Sequence, residues 1–299
     1  MNTHATHRTG PHGRPVTRIA AWPFLGAALI SLAGLLLSYR FFIGTTTGQY
    51  IDESALVEAG AARQRIGTQT SQLLDLLPVT SAVLATLVVL FVTLARRRWK
   101  AAGIALAAMA AANLSTQLIK AGLPDRPSLG VNTLALNSLP SGHSTMAASA
   151  AAAVFLVVSP RWRPAAAVVG GSYAILAGIS TLINQWHRPS DVLAAFFIVT
   201  FWTAVAGLYI VRTGTQWNVW LGSAAHWASG RWWSIAAAVL ALVSTVAGAL
   251  VLYAAMSPGA ASSTSYLLVG MGLIVAAGYL LALGGIILLT CSVRRRKSR

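Results

Sequence analysis

Three short segments hold most of the ionisable side chains whose type and spacing could do chemistry: 120–127 with Lys120 and Arg126, 140–143 reading Pro-Ser-Gly-His, and 187–191 reading His-Arg-Pro-Ser-Asp. In the second, a chain entering a helix after Pro140 presents unpaired N–H groups and the positive end of a helix dipole, which together make an anion site. Gly142 lets that backbone approach a ligand closely, and His143 stands where it can give a proton to a leaving oxygen. In the third, Pro189 suits the first position of a helix and Asp191 its first turn. The four-residue spacing brings the Asp191 carboxylate under the His187 ring, where it fixes the tautomer and raises the basicity of the other nitrogen. Lys120 and Arg126 add fixed positive charge. Each residue alone has a plainer reading, as a polar anchor, a snorkelling cation or a turn. Two histidines, a carboxylate and two cations before a helix N-terminus describe a pocket for phosphoryl transfer.

The elements that must position these residues are membrane helices. The chain has 299 residues, 56% hydrophobic and only 9% charged, far below the roughly 25% charge of soluble domains. Its 22 basic residues against 6 acidic ones give a net charge of +16, which in a soluble protein would suggest a nucleic-acid partner. In a chain this apolar, topology explains the excess better, and no nucleic-acid partner is expected. Eight stretches are long and apolar enough to cross a bilayer or nearly so: 20–43, 79–95, 101–119, 143–158, 165–183, 191–211, 234–256 and 266–290. The first reads as a retained signal anchor. With both termini cytoplasmic, sixteen of the basic residues fall inside, in clusters such as 96–100, 161–163 and 294–297. All six acidic residues and the three chemical segments then fall outside. The expected organisation is an all-α integral membrane protein with a basic tail (1–19), a six-helix core (20–211), a cytoplasmic linker (212–233), two further helices (234–290) and a second basic tail (291–299). The simplest location is a plasma membrane, the inner membrane of a bacterium. The outer segment 44–78 reads as an interfacial helix or a surface connector, without a choice between lid and connector. His4, His7 and His12 read as disordered tail, and the single cysteine, Cys291, as a packed thiol with palmitoylation as the alternative. The sequence shows no convincing internal repeat of the kind many transporters carry.

At the chemical residues the chain resembles the type 2 phosphatidic acid phosphatase superfamily, whose pattern is Lys-x6-Arg-Pro, then Pro-Ser-Gly-His, then Ser-Arg-x5-His-x3-Asp. Pro140–His143 matches the second part in full, and Ser180, His187 and Asp191 match most of the third. The resemblance covers roughly residues 20–211. It implies a six-helix core and a reaction in which His187 attacks phosphorus to form a phosphohistidine, oriented by Asp191. It further implies that His143 protonates the departing oxygen, and that Lys120, Arg126, Ser141 and Gly142 hold the phosphate oxygens. It implies no metal and no cofactor. Two departures stand out. Lys120 and Arg126 enclose five residues rather than six, and Thr181 occupies the place of the third motif's arginine. Threonine offers one uncharged donor where the family has a guanidinium; Arg188, beside His187, is the candidate substitute.

The expectation is a phosphatase acting at the outer leaflet on an anionic lipid phosphate or polyprenyl diphosphate, with membrane lipids as its other partners. The head group, tail and oligomeric state stay open, and spans seven and eight have no assigned role. The rivals are a phosphotransferase on the same scaffold, a lipid-phosphate-binding protein without turnover, and, last, a secondary transporter.

Overall fold

A computed structural model describes residues 20–132, 137–213, 219–220, 226–257, 264–290 and 294–295. The readings of His4, His7, His12 and Cys291 lie outside the described residues. Eight α-helices are described: α1 Trp22–Phe42, α2 Thr46–Arg96, α3 Trp99–Gly122, α4 Gly142–Val157, α5 Arg163–Ile183, α6 Pro189–Thr213, α7 Trp232–Ala255 and α8 Ser265–Thr290. Val219–Trp220 and Arg294–Arg295 form a two-residue parallel pair between the stretch after α6 and the end of the chain. The protein is an all-α integral membrane protein, with seven helices long and apolar enough to cross a bilayer. The shorter α4, 16 residues, packs in the interior on α2, α3, α5 and α6. Flanked by protein rather than lipid, it need not match the hydrocarbon thickness.

Helix starts follow local chemistry. Thr45 caps α2 by accepting from the Gly48 N–H at 3.0 Å, and Ser141 caps α4 by accepting from the Ser144 N–H at 3.3 Å. α6 begins at Pro189, where a missing N–H costs nothing. Gln185, with φ at 59°, turns the chain between α5 and α6. Ionic ends are also built in. Arg98, buried between α2 and α3, donates from Nη1 to the Val157 carbonyl at 2.8 Å, closing the end of α4. Arg98 and Arg163 lie inside the protein rather than on a solvated anchoring face.

The main difference from the sequence reading lies in 44–78. That segment is neither a connector nor a separate interfacial helix. From Thr46 onward it is the longer part of α2, 51 residues without a break, on the order of 75 Å of helix at 1.5 Å per residue. Pro78 deletes one intrahelical donor, yet the helix continues through it, and the Thr80 hydroxyl bonds the Leu76 carbonyl at 2.8 Å beside the gap. Polar residues between Gln49 and Ser71 conceal this continuity in the hydropathy pattern, although Ile51, Ala55, Leu56 and Ala59 are buried, with Leu56 and Ala59 packed among Leu182, Leu267 and Ile274. From Leu74 onward α2 packs against α4 and α5: Leu74 and Leu77 cluster with Ala147 and Ala177, and the Ser81 hydroxyl meets that of Tyr173 at 2.7 Å.

α8 closes the same end of the bundle. The Glu58 carboxylate of α2 accepts from the Leu267 N–H at 2.8 Å, capping α8 from another helix. At Gly270, α8 comes so near Pro189 that a Cβ would stand 2.6 Å from the proline ring and 3.2 Å from Ala55. Gly270→Leu is therefore expected to destabilise the protein by roughly 1–3 kcal/mol through overpacking. The check is thermal unfolding in detergent, where an unchanged midpoint would show that α8 does not press on this loop.

Candidate active site

Each of the three chemical segments is a helix terminus, and the fold gathers them at one end. α3 ends at Gly122, α4 begins at Gly142, α5 ends at Ile183 and α6 begins at Pro189. The Ser141 N–H donates to the Asp191 carbonyl at 3.0 Å, tying the start of α4 to the first turn of α6. The centre of the arrangement is Asp191, whose side chain is fully buried. Its Oδ2 receives His187 Nδ1 at 3.1 Å, the Ser138 hydroxyl at 2.5 Å and the Arg188 backbone N–H at 3.1 Å. A neutral imidazole that carries its proton on Nδ1, toward the carboxylate, has its lone pair on Nε2.

His143 opens α4 across from this pair. It is half-buried, with its ring 5.3 Å from that of Trp186, and its charged neighbours are His187, Lys120 and Asp75. Lys120 is half-buried near the end of α3. His187, His143 and Lys120 thus converge on the N-terminus of α4, where Gly142 is the first helical residue. Ser141 lies deeper. It is fully buried, and its hydroxyl accepts from the Ser144 N–H and donates to the Ser144 hydroxyl at 3.0 Å, so it serves the helix start.

The two guanidiniums near the site are held by carboxylates that sequence reasoning did not single out. Arg126 Nη2 lies 3.1 Å from Asp52 Oδ2 and 3.9 Å from Asp191 Oδ1, with its side chain fully buried. Arg188 Nε pairs with Glu53 at 2.7 Å, and its Nη1 donates to the Ser138 hydroxyl at 3.2 Å. Asp52 and Glu53 both come from the first turns of α2. The only available signal was their membership among six acidic residues, all on the side of the chemical segments under the charge-derived topology. Ser138, which joins Arg188 to Asp191, gave no sequence signal.

Thr181 occupies a different role from a phosphate contact. It is fully buried, and its hydroxyl donates to the Gly178 carbonyl at 2.7 Å. Its own carbonyl accepts from the N–H groups of Trp186 and His187 at 2.9 and 3.3 Å, ending α5 and carrying the backbone of His187.

These side chains sit on α3 to α6, and the comparison with known families falls on the same stretch. Residues 101–215 match the PAP2 superfamily. No curated protein and no solved structure matches the chain. PAP2 superfamily members are phosphatases, so the matched segment supports a phosphoester hydrolase acting on phosphorylated substrates. All three motifs lie inside the PAP2 segment, whereas Asp52, Glu53 and the whole of α7 and α8 lie outside it.

Two substitutions separate contacts that matter from those that do not. Thr181→Val removes only a hydroxyl bonded back into its own helix, and phosphate release in detergent is expected to stay within about threefold of the parent, since a local bond of this kind is worth ~1 kcal/mol. Ser138→Ala removes a donor to the charged Asp191 and an acceptor for Arg188. Turnover is expected to fall on the order of tenfold, the kinetic equivalent of one hydrogen bond to a charged group.

Proposed function

We propose that the protein hydrolyses a lipid phosphate or polyprenyl diphosphate through a phosphohistidine intermediate, at the outer face of a plasma membrane with both termini cytoplasmic. The observation that carries this reading is the 3.1 Å contact between His187 Nδ1 and the buried Asp191 carboxylate, which leaves Nε2 available. In the first half-reaction His187 Nε2 forms a bond to phosphorus as the bond to the lipid oxygen breaks, and His143 supplies the proton that oxygen needs. In the second, His143 takes a proton from water as the water oxygen attacks phosphorus; the N–P bond breaks and inorganic phosphate leaves. Lys120 and the first N–H groups of α4 neutralise the phosphate oxygens, without any metal or cofactor. Arg126 and Arg188 contribute positive charge from behind, each tethered by a carboxylate of α2.

The position of the site supports a lipid substrate, since a pocket at helix ends takes a head group while the tail remains in the bilayer. The orientation follows from the inward bias of the basic residues. Arg188 is the cation nearest in sequence to the nucleophile, and we assign it the charge-neutralising part that Thr181 cannot play.

The test is inorganic phosphate release by detergent-purified protein from a panel of lipid phosphates and prenyl diphosphates, with EDTA present. Release that disappears in His187→Ala is the expected result, and Arg188→Ala, which removes a charge standing behind the site, is expected to lower turnover on the order of tenfold. Phosphate appearing on an added lipid or sugar acceptor rather than in solution would overturn hydrolysis in favour of transfer.

A further inference from the structure

Asp52 lies outside the matched segment, yet it joins two of the three motif segments. Its Oδ1 accepts from the Ser190 N–H at 3.0 Å, and its Oδ2 accepts from the Ser190 hydroxyl at 2.6 Å and from Arg126 Nη2 at 3.1 Å. The turn of α2 that carries it is fastened to the loop bearing Arg126. Gln49 Nε2 donates to the Pro127 carbonyl at 3.0 Å and to the Ile43 carbonyl at 2.9 Å, and the Thr46 hydroxyl donates to the Leu129 carbonyl at 3.4 Å. Asp52 is thus part of a fixed frame.

The arrangement around Arg126 is unusual. Its Nη2 stands 3.9 Å from Asp191 Oδ1, and among the described residues neither that oxygen nor Arg126 Nε and Nη1 has a hydrogen-bond partner. All these atoms are buried. A buried guanidinium and carboxylate oxygen this close would ordinarily close to a direct bond of about 2.8 Å. Asp52 Oδ2 instead holds the same Nη2, at 3.1 Å. We propose that Asp52 is a positioning residue: it holds Arg126 off Asp191, so that the negative charge of Asp191 stays with the His187 imidazole. This inference rests on the phosphohistidine reading above. Once Asp52 loses its charge, Arg126 moves onto Asp191, and the His187 imidazole loses undivided hold of the carboxylate that orients it.

The experiment is Asp52→Asn, whose amide oxygen still accepts from Ser190 while the charge is gone. The rate constant for phosphate release is expected to fall about 10- to 100-fold, the scale of a 1 Å displacement in a reacting centre, with KM for the lipid within about threefold. The acidic limb of the pH–rate profile is expected to move to lower pH. Removing one negative charge, and neutralising a second by pairing, both disfavour the protonated nucleophile. The groups facing that ring are Asp191 and Arg188 on its own loop and helix, and His143 on α4 with Lys120 and Asp75 near it. Arg126, Asp52 and Glu53 stand behind the carboxylate. A merely structural role would lower the active fraction and leave the rate constant per active molecule unchanged; that outcome overturns the proposal.

Arg126→Gln and the double variant complete a cycle. If Asp52 acts through Arg126, the double variant is as active as Arg126→Gln alone, and a further loss in the double overturns the proposal. The double removes both buried charges together, so it serves where Asp52→Asn by itself fails to fold. If the parent protein releases no phosphate from any lipid, the phosphohistidine hydrolase reading falls by itself. Asp52 is then judged by orthovanadate affinity, measured as protection against thermal unfolding. A tenfold or greater weakening in Asp52→Asn upholds its role, and unchanged affinity overturns it.

Discussion

A charged carboxylate sealed away from water is tolerated only when hydrogen bonds and opposite charge replace its hydration, and Asp191 imposes that requirement on everything near it. Three donors crowd one of its oxygens, and a guanidinium stands off the other. One of those donors is the imidazole expected to react. The others come from the loop before α4 and from the backbone leading into α6. Satisfying this one side chain therefore fixes the relative places of α4 and α6, and the arginine brought in for charge balance fixes the loop after α3. Stability and chemistry here draw on the same contacts.

What could be read from the sequence was whatever is local along the chain. The spacing of His187 and Asp191, the proline at the start of α6 and the turn residues opening α4 each act within a few residues. Their structural counterparts are a 3.1 Å contact, a helix beginning at Pro189 and a cap at Ser141. The gathering of three segments at one end followed from charge bias along alternating spans. What could not be read was pairing across long stretches of chain. Asp52 lies 74 residues before Arg126, and Glu53 lies 135 before Arg188; no periodicity links positions so distant. The continuity of α2 was hidden for a related reason: buried Gln49 and Asp52 interrupt the apolar stripe of Ile51, Ala55, Leu56 and Ala59, so the hydropathy pattern breaks where the helix does not.

Thr181 shows how a motif position can keep a use after losing its usual side chain. Its carbonyl ends α5 and supports the backbone of His187, work that any residue at that place could do. Its side chain turns back into the helix. Arg188, the neighbour of His187, is held by Glu53 and Ser138, and in the reading proposed above it supplies the charge of the resembled motif's arginine.

The long α2 has a consequence for modularity. The matched stretch, 101–215, looks like a unit that could be cut out and moved. Cut there, it would leave Arg126 and Arg188 in a low-dielectric interior with their α2 counter-ions removed, and would strip the loop ahead of α6 of the two helices that brace it. The boundary of likeness to a family is thus not a boundary of autonomous folding. The matched segment carries the histidines, and the helices outside it hold the charges around them in place.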